Sequence, residues 1–428
     1  MKKIIFTLLI FLLSNTFCCA ITETHKITIK EAVNIAMEKN IDIQAARLNV
    51  QIEKNNIKAA NRLENPSVGI YQNFGKAGKG NPQQVGASQT VEIAKRGARK
   101  NLARAIYEAE KNNIAYLEFD LRMDVREAYT NLLAKKSIYN IIKEQEEILE
   151  KILVNTQEKY KEGTKQEMDV FQAKLEINQM TSELHDADFD AKTAMFEFNK
   201  VINIKNGLFD TMEDEFTEDY KPLFIPSPFA KLPTFDVIAE EALDGREDIK
   251  ASKQNVEAAK RELILISRSR IPDLEVQGGY SYQNNSQSEG EGFKNGAYLS
   301  ANIVNIPLFY NYGPEIKNAK LKLQKAELNY QSVRNKAFND LRRAYAKFVT
   351  SQLALQNYND EILTGSKDLI MSSRKSYVEG KTDLTTLIMM EETYRTIMTS
   401  HTNAMAEYYN SWNEFIRSVG NEDFKIDL

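Results

Sequence analysis

The chain has 428 residues, of which 27% are charged, and a net charge of −4 at neutral pH with both signs interspersed. A general nucleic-acid role is excluded by the lack of a basic excess. With only 18 glycines and 9 prolines, the chain has fewer breaks than alternating Rossmann or barrel folds need.

Lys2 and Lys3 precede an apolar run, IIFTLLIFLL at 4–13, and Cys18, Cys19 and Ala20 offer small residues for cleavage. This pattern predicts a secretory signal peptide over 1–20, too short to span a bilayer as a stable helix. A lipidated cysteine needs a small residue before it, and Phe17 precedes Cys18. Cleavage removes both cysteines and two lysines, leaving a charge of −6 and no thiol for redox chemistry or a cysteine metal site. No later apolar run reaches the roughly eighteen residues of a membrane helix.

The rest is written twice. TIKEAVNIAMEKNIDIQAA at 28–46 matches TFDVIAEEALDGREDIKAS at 234–252 with an offset of 206, which also brings Pro66 onto Pro272. Gly163 matches Gly380 with an offset of 217, so the halves differ by about ten residues inserted between Pro272 and Gly313. The expected organisation is a first repeat over 21–205, an acidic, proline-bearing linker over 206–233, a second repeat over 234–420 and a tail over 421–428.

Each half begins with a helix, about 30–64 or 236–270, followed by two short alternating stretches. A very long helix follows, about 98–161 or 314–378, and then a last helix, about 165–203 or 382–419. In the first long helix Ile114, Leu121, Ala128, Ile142 and Leu149 keep a seven-residue rhythm. Val125, Leu132, Tyr139 and Leu153 form a second row four positions on. Two such rows make a coiled-coil seam, and more than sixty residues extend about 95 Å. The fold class expected is mainly α with a small β part, built on long antiparallel coiled-coil hairpins.

The alternating stretches are SVGIYQNFG (67–75), VGASQTVEIA (85–94), DLEVQGGYSYQN (273–284) and AYLSANIVNIPL (297–308), separated by polar, glycine-rich loops. In the third, Leu274, Val276, Tyr280 and Tyr282 face one way, and Asp273, Glu275, Gln277, Ser281 and Gln283 the other. Period two with one apolar face is a half-buried strand, of a length suited to a tilted membrane strand. A bilayer tolerates only closed barrels, since open edges leave backbone groups unpaired in hydrocarbon. Four strands cannot close, so copies must share a barrel. Two copies give eight strands and a packed lumen, so a pore favours three copies, with twelve strands, or more.

At this point the chain resembles the TolC family of outer-membrane efflux channels over essentially the whole mature sequence. The residues that carry the resemblance are TIKEAVNIAMEKNIDIQAA, NPS at 65–67, QTVEIAKRGAR at 89–99, YKEGTKQEMDVFQA at 160–173, NIPLFYNYGPEIKNAK at 305–320 and YVEGKTDLTTL at 377–387. The resemblance implies a homotrimer with a twelve-stranded outer-membrane barrel in contact with lipid and a helical tunnel crossing the periplasm. It implies docking to an inner-membrane pump of the RND or ABC type through a periplasmic adaptor, with no chemistry of its own. It also places Tyr160, Gly163 and Gly380 at the periplasmic tips, where the adaptor binds. A plain turn glycine would equally account for Gly163 and Gly380, because a sharp helix–helix turn needs φ > 0.

In family members an aspartate just after the first turn bonds a tyrosine just before the second, and Asp169 and Tyr377 occupy those positions. Some members carry two aspartate rings at the aperture, where this chain has Thr386 and Met389, and Thr382 stands where some have a latch arginine. The resemblance therefore suggests a more neutral aperture closed by packing of Leu387 and Met389. Lys95, Arg96 and Arg99, at the strand-to-helix junction, read either as a phospholipid-headgroup contact or as a solvated cluster. VEIAKRGAR is also similar to the heavy-metal branch of the family. His25, His185 and His401 lack metal spacing, and Met389, Met390, Met398 and Met405 read as coiled-coil core. No cofactor motif, nucleophile–base arrangement or phosphate loop is present, so no catalysis is expected. The rival reading is a coiled-coil scaffold without a channel, which would have no use for lipid-facing Val276, Tyr280 and Tyr282. A general porin would need many more strands.

Overall fold

A computed structural model describes residues 24–72, 82–204, 207–216, 220, 225–230, 233–283, 295–422 and 424. The expected leader, most of the two polar loops between strands, part of the linker and most of the tail lie outside the described residues. The elements in order are β1 (Thr24–Ile27), α1 (Ile29–Lys39), α2 (Ile41–Ala60), β2 (Ser67–Gln72), β3 (Pro82–Val91), α3 (Lys95–Lys161), α4 (Glu167–Ile202) and β4 (Leu208–Thr211). They continue with α5 (Phe235–Gly245), α6 (Glu247–Arg268), β5 (Asp273–Gln283), β6 (Gly296–Val304), α7 (Gly313–Gln356), α8 (Asp360–Val378) and α9 (Leu384–Val419).

The 67-residue α3 extends about 100 Å at 1.5 Å per residue. Its seam carries Val125, Leu132, Ile142, Leu149 and Thr156 into burial, as a seven-residue repeat requires. Three apolar clusters lie along the hairpins. Trp412, Phe348, Phe415 and Met123 form one, Tyr129, Phe198 and Val125 another, and Ile152, Tyr377, Leu384 and Ile388 a third near the tips.

The structure corrects three expected helices, each of which is broken. The opening helix of each repeat splits at Asn40 and at Arg246, positions related by the 206-residue offset. The breaks let those side chains cap another helix. Asn40 Nδ2 donates to the Val201 and Ile202 carbonyls at 3.2 Å, closing the C-terminus of α4. Arg246 Nη1 donates to the Ser418 carbonyl at 2.8 Å, closing the C-terminus of α9. The second long helix breaks between Gln356 and Asp360, where Asn359 Oδ1 accepts the Ile362 N–H at 3.0 Å and starts α8. Within the linker, β4 pairs in parallel with β1, a two-stranded sheet not foreseen from the sequence.

The four expected strands form one antiparallel sheet in the order β2-β3-β5-β6. The central pair joins the two repeats, and β2 and β6 are its edges.

Candidate channel surfaces

Register sets the two faces of the sheet. Val68 and Ile70 stand opposite Ala87 and Val85, Val85 opposite Tyr280, and Val276 opposite Ala301. Paired residues share a face, so these side chains, with Leu274, Tyr282, Leu299 and Ile303, make a largely apolar wall, interrupted on β3 by Gln83 and Gln89. It faces solvent in the single chain: Ile70 is 77% exposed and Leu299 81%. An exposed apolar surface of this extent marks a surface that meets apolar surroundings. The opposite face carries Ser67, Gln84, Ser88, Glu275, Gln277, Ser300 and Asn302. On that polar face the Tyr298 hydroxyl leaves no room for a Cβ at Gly86, the β3 backbone at Val85 and Gly86 leaves none at Gly279, and the Tyr298 hydroxyl accepts from Gln277 Nε2 at 3.3 Å.

At the sheet's helical end, Lys95, Arg96 and Arg99 replace both sequence readings with a third. Lys95 Nζ pairs with buried Asp273 at 2.6 Å. Arg96 Nε and Arg99 Nε donate to the Asn61 and Ala60 carbonyls at 2.8 and 3.0 Å. Arg99 also pairs with Glu92 at 2.8 Å. The cations that burden the start of α3 thus cap the end of α2, where the macrodipole favours them.

At the far end both hairpins turn in the same way. Gly163 and Gly380 have φ +77°. Thr164 N–H donates to the Lys159 carbonyl at 2.9 Å, and Lys381 N–H to the Ser376 carbonyl at 2.8 Å, the six-to-one bond of a glycine-terminated helix. The returning helices are capped in opposite senses. Asp169 Oδ2 reaches back to accept the Gln166 N–H at 3.1 Å, while Asp383 Oδ1 reaches forward to accept the Thr386 N–H at 2.7 Å.

Tyr377 is 1% exposed and sits between the hairpins. Among the described residues its hydroxyl bonds Thr156 Oγ1 at 2.6 Å and not Asp169, which is engaged as a cap. Thr156 gives its one proton to the Ile152 carbonyl at 2.7 Å, so Tyr377 is the donor. Burial raises the pKa of that hydroxyl, and the nearby Asp169 carboxylate adds to the rise. Lys159 Nζ donates to the Tyr377 and Val378 carbonyls at 3.0 and 2.8 Å, closing the C-terminus of α8 from the other hairpin. Lys159 and Lys165 also stand 5.1 and 5.2 Å from the Tyr377 ring centroid.

A match to the outer membrane efflux protein family spans residues 32–202 and 238–421. The chain belongs to that family. Its fold is similar to that of the Campylobacter jejuni CmeC outer membrane channel, with a TM-score of 0.73 at 17% identity over 94% of this chain and 87% of that one. A membrane protein from Pseudomonas aeruginosa gives 0.75 at 13% identity, over 94% and 93%. The Neisseria gonorrhoeae MtrE outer membrane channel in its open state gives 0.71 at 16% identity, over 92% and 89%. These likenesses are of fold. Comparison with curated proteins returned no match.

No helix among the described residues is long and apolar enough to cross a membrane. Of the residues expected at an aperture, Leu387 is 1% exposed and Met389 is 59% exposed, so within the single chain Met389 is not core. Thr386 N–H is held by Asp383. Glu391, near the aperture positions in sequence, is buried in a two-pronged pair with Arg374 at 2.6 and 2.7 Å. His401 is partly buried, which lowers its pKa, and its ring lies tilted against Tyr358 with centroids 5.7 Å apart. Among the described residues no group of three His, Cys, Asp or Glu side chains is arranged to hold a metal ion. The sequence missed Thr156, Lys159 and Arg374, because nothing local shows a polar residue meeting a partner on a distant helix.

Proposed function

We propose that the chain is the outer-membrane channel of a tripartite efflux or secretion system, a passive conduit opened by a periplasmic adaptor and an inner-membrane pump. The observation that supports this most is a four-stranded sheet with an apolar outer face and two unpaired edges. In hydrocarbon such edges must be paired, and three copies would join edge to edge into twelve strands. The hairpins would continue the barrel as a periplasmic tunnel, with no catalytic step and no cofactor. The tips around Tyr160, Gly163 and Gly380 would meet the adaptor. The gate would be the tip cluster of Tyr377, Thr156 and Lys159, with Asp169, Thr386, Leu387 and Met389 beside it. The test is single-channel recording of the purified protein in a planar bilayer. The reading expects a small resting conductance that increases when the tip contacts are removed. No conductance from correctly inserted protein, in wild type or tip variants, would remove the channel reading.

A further inference from the structure

The repeat relates each tip residue to one 217 positions on, yet mates differ in burial. Ile152 is 8% exposed and its mate Leu369 is 55% exposed. Tyr377 is 1% exposed and its mate Tyr160 44%; Ile388 is 8% exposed and its mate Phe171 57%. The buried member of each pair lies in the cluster where the two hairpins of one chain meet. The exposed member has the same place on its own hairpin but no hairpin beyond it. Thr156 and its mate Ser373 also match in hydrogen bonding. Thr156 Oγ1 donates to the Ile152 carbonyl at 2.7 Å, and Ser373 Oγ donates to the Leu369 carbonyl at 2.9 Å. Each hydroxyl oxygen is left as an acceptor, and only that of Thr156 has its tyrosine.

We infer that Tyr160 and Phe171 of one copy pack against Leu369 and Ser373 of the partner subunit, with the Tyr160 hydroxyl donating to Ser373 Oγ of the partner subunit. The occupant is a second copy of this chain, because the surface is built to the pattern of a contact the chain already makes with itself. If one rotation carries the first hairpin onto the second, a further step carries the second onto the first hairpin of the next copy. The inference rests on the reading of the chain as a channel of several copies, and it adds an asymmetry. The mates of Lys159 and Lys165 are Ser376 and Thr382. The contact between copies therefore repeats the tyrosine bond and lacks the lysine tie, so the tip parts more readily between copies than within one.

Both cysteines lie in the expected leader, so the mature chain offers a clean background for crosslinking. Tyr160→Cys with Ser373→Cys, bridged in detergent by a short bismaleimide because the tyrosine's length separates the two Cα atoms beyond disulfide reach, should give crosslinked dimers and trimers on denaturing gels. Neither single variant should do so, nor should Tyr160→Cys with Leu353→Cys. Loss of the crosslink while the native mass remains that of several chains would overturn this contact and leave the channel reading standing. A monomeric native mass would overturn both. A second arm uses Ser376→Lys in the otherwise wild-type chain, where the Lys159 tie within each copy is kept. The added lysine should lower adaptor-free conductance about tenfold, as expected for a charged hydrogen bond. Unchanged conductance would contradict the asymmetry.

Discussion

The Tyr377 hydroxyl donates to Thr156 Oγ1 at 2.6 Å, joining residues on different hairpins inside a closed apolar cluster. The two ends of this bond are unequal. Tyr377→Phe removes a donor but leaves Thr156 bonded to Ile152, so it should cost about 1 kcal/mol. Thr156→Val strands a buried hydroxyl and should cost about 1–3 kcal/mol. Thermal unfolding and adaptor-free conductance should rank wild type, Tyr377→Phe and Thr156→Val in that order of perturbation. The double variant removes the stranded hydroxyl as well and should recover part of the Thr156→Val loss. The reverse ranking would show that the donor assignment is wrong.

Glu391 and Arg374 tie α9 to α8 just above the tip. Glu391 is nearly buried, with its side chain 4% exposed, and Arg374 is 30% exposed. Arg374→Ala strands a carboxylate and should destabilise by about 3–5 kcal/mol, whereas Arg374→Met with Glu391→Leu should restore most of the loss. Denaturant midpoints of the three proteins test this. A double variant as unstable as Arg374→Ala would mean that the helices need the ion pair itself.

Asp214, in the linker region, has its pKa lowered first by its bond to Lys136 and then by Lys26, against the opposing effect of partial burial. A depressed folded pKa gives stability that is present above the unfolded value of 3.8 and is lost as the pH falls through the lower folded value. Lys136→Met should therefore be less stable than wild type near neutral pH, and the gap should narrow in acid well below 3.8. Paired melting curves at the two pH values measure it. A constant gap would assign the effect of Lys136 to something other than this carboxylate.

Val276 and Gln277 are neighbours on opposite faces of β5. Val276→Arg puts a charge on the face proposed to meet lipid and should cost about 2–4 kcal/mol near the bilayer midplane. Gln277→Arg, beside Tyr298 on the polar face, should cost far less. Equal losses in barrel assembly, read from heat-resistant oligomer on gels, would reverse the facing assignment.

Much of this was legible in the sequence, and for physical reasons. A period of two in DLEVQGGYSYQ names the faces of β5, and register carries that assignment to three neighbouring strands. Seven-residue spacing names the seam of α3. Glycine at 163 and 380 names the turns through the backbone alone. What the sequence hid depends on distant partners. Asn40 and Arg246 look like ordinary helix residues until the helix ends they cap are brought to them. Asp169 was expected to bond Tyr377, but its carboxylate accepts the Gln166 N–H at the start of α4, and Tyr377 bonds Thr156 instead. The second long helix was expected unbroken over 314–378, and the break that Asn359 caps was not read from the sequence.

The central claim is that edges β2 and β6 pair between copies. It is tested most directly by the native mass of the protein extracted from outer membranes in mild detergent, measured on the same sample that is recorded in a planar bilayer. The account predicts the mass of three mature chains, each 48.9 kDa before loss of its leader, and channel conductance from that species. A monodisperse monomer that still conducts would contradict it.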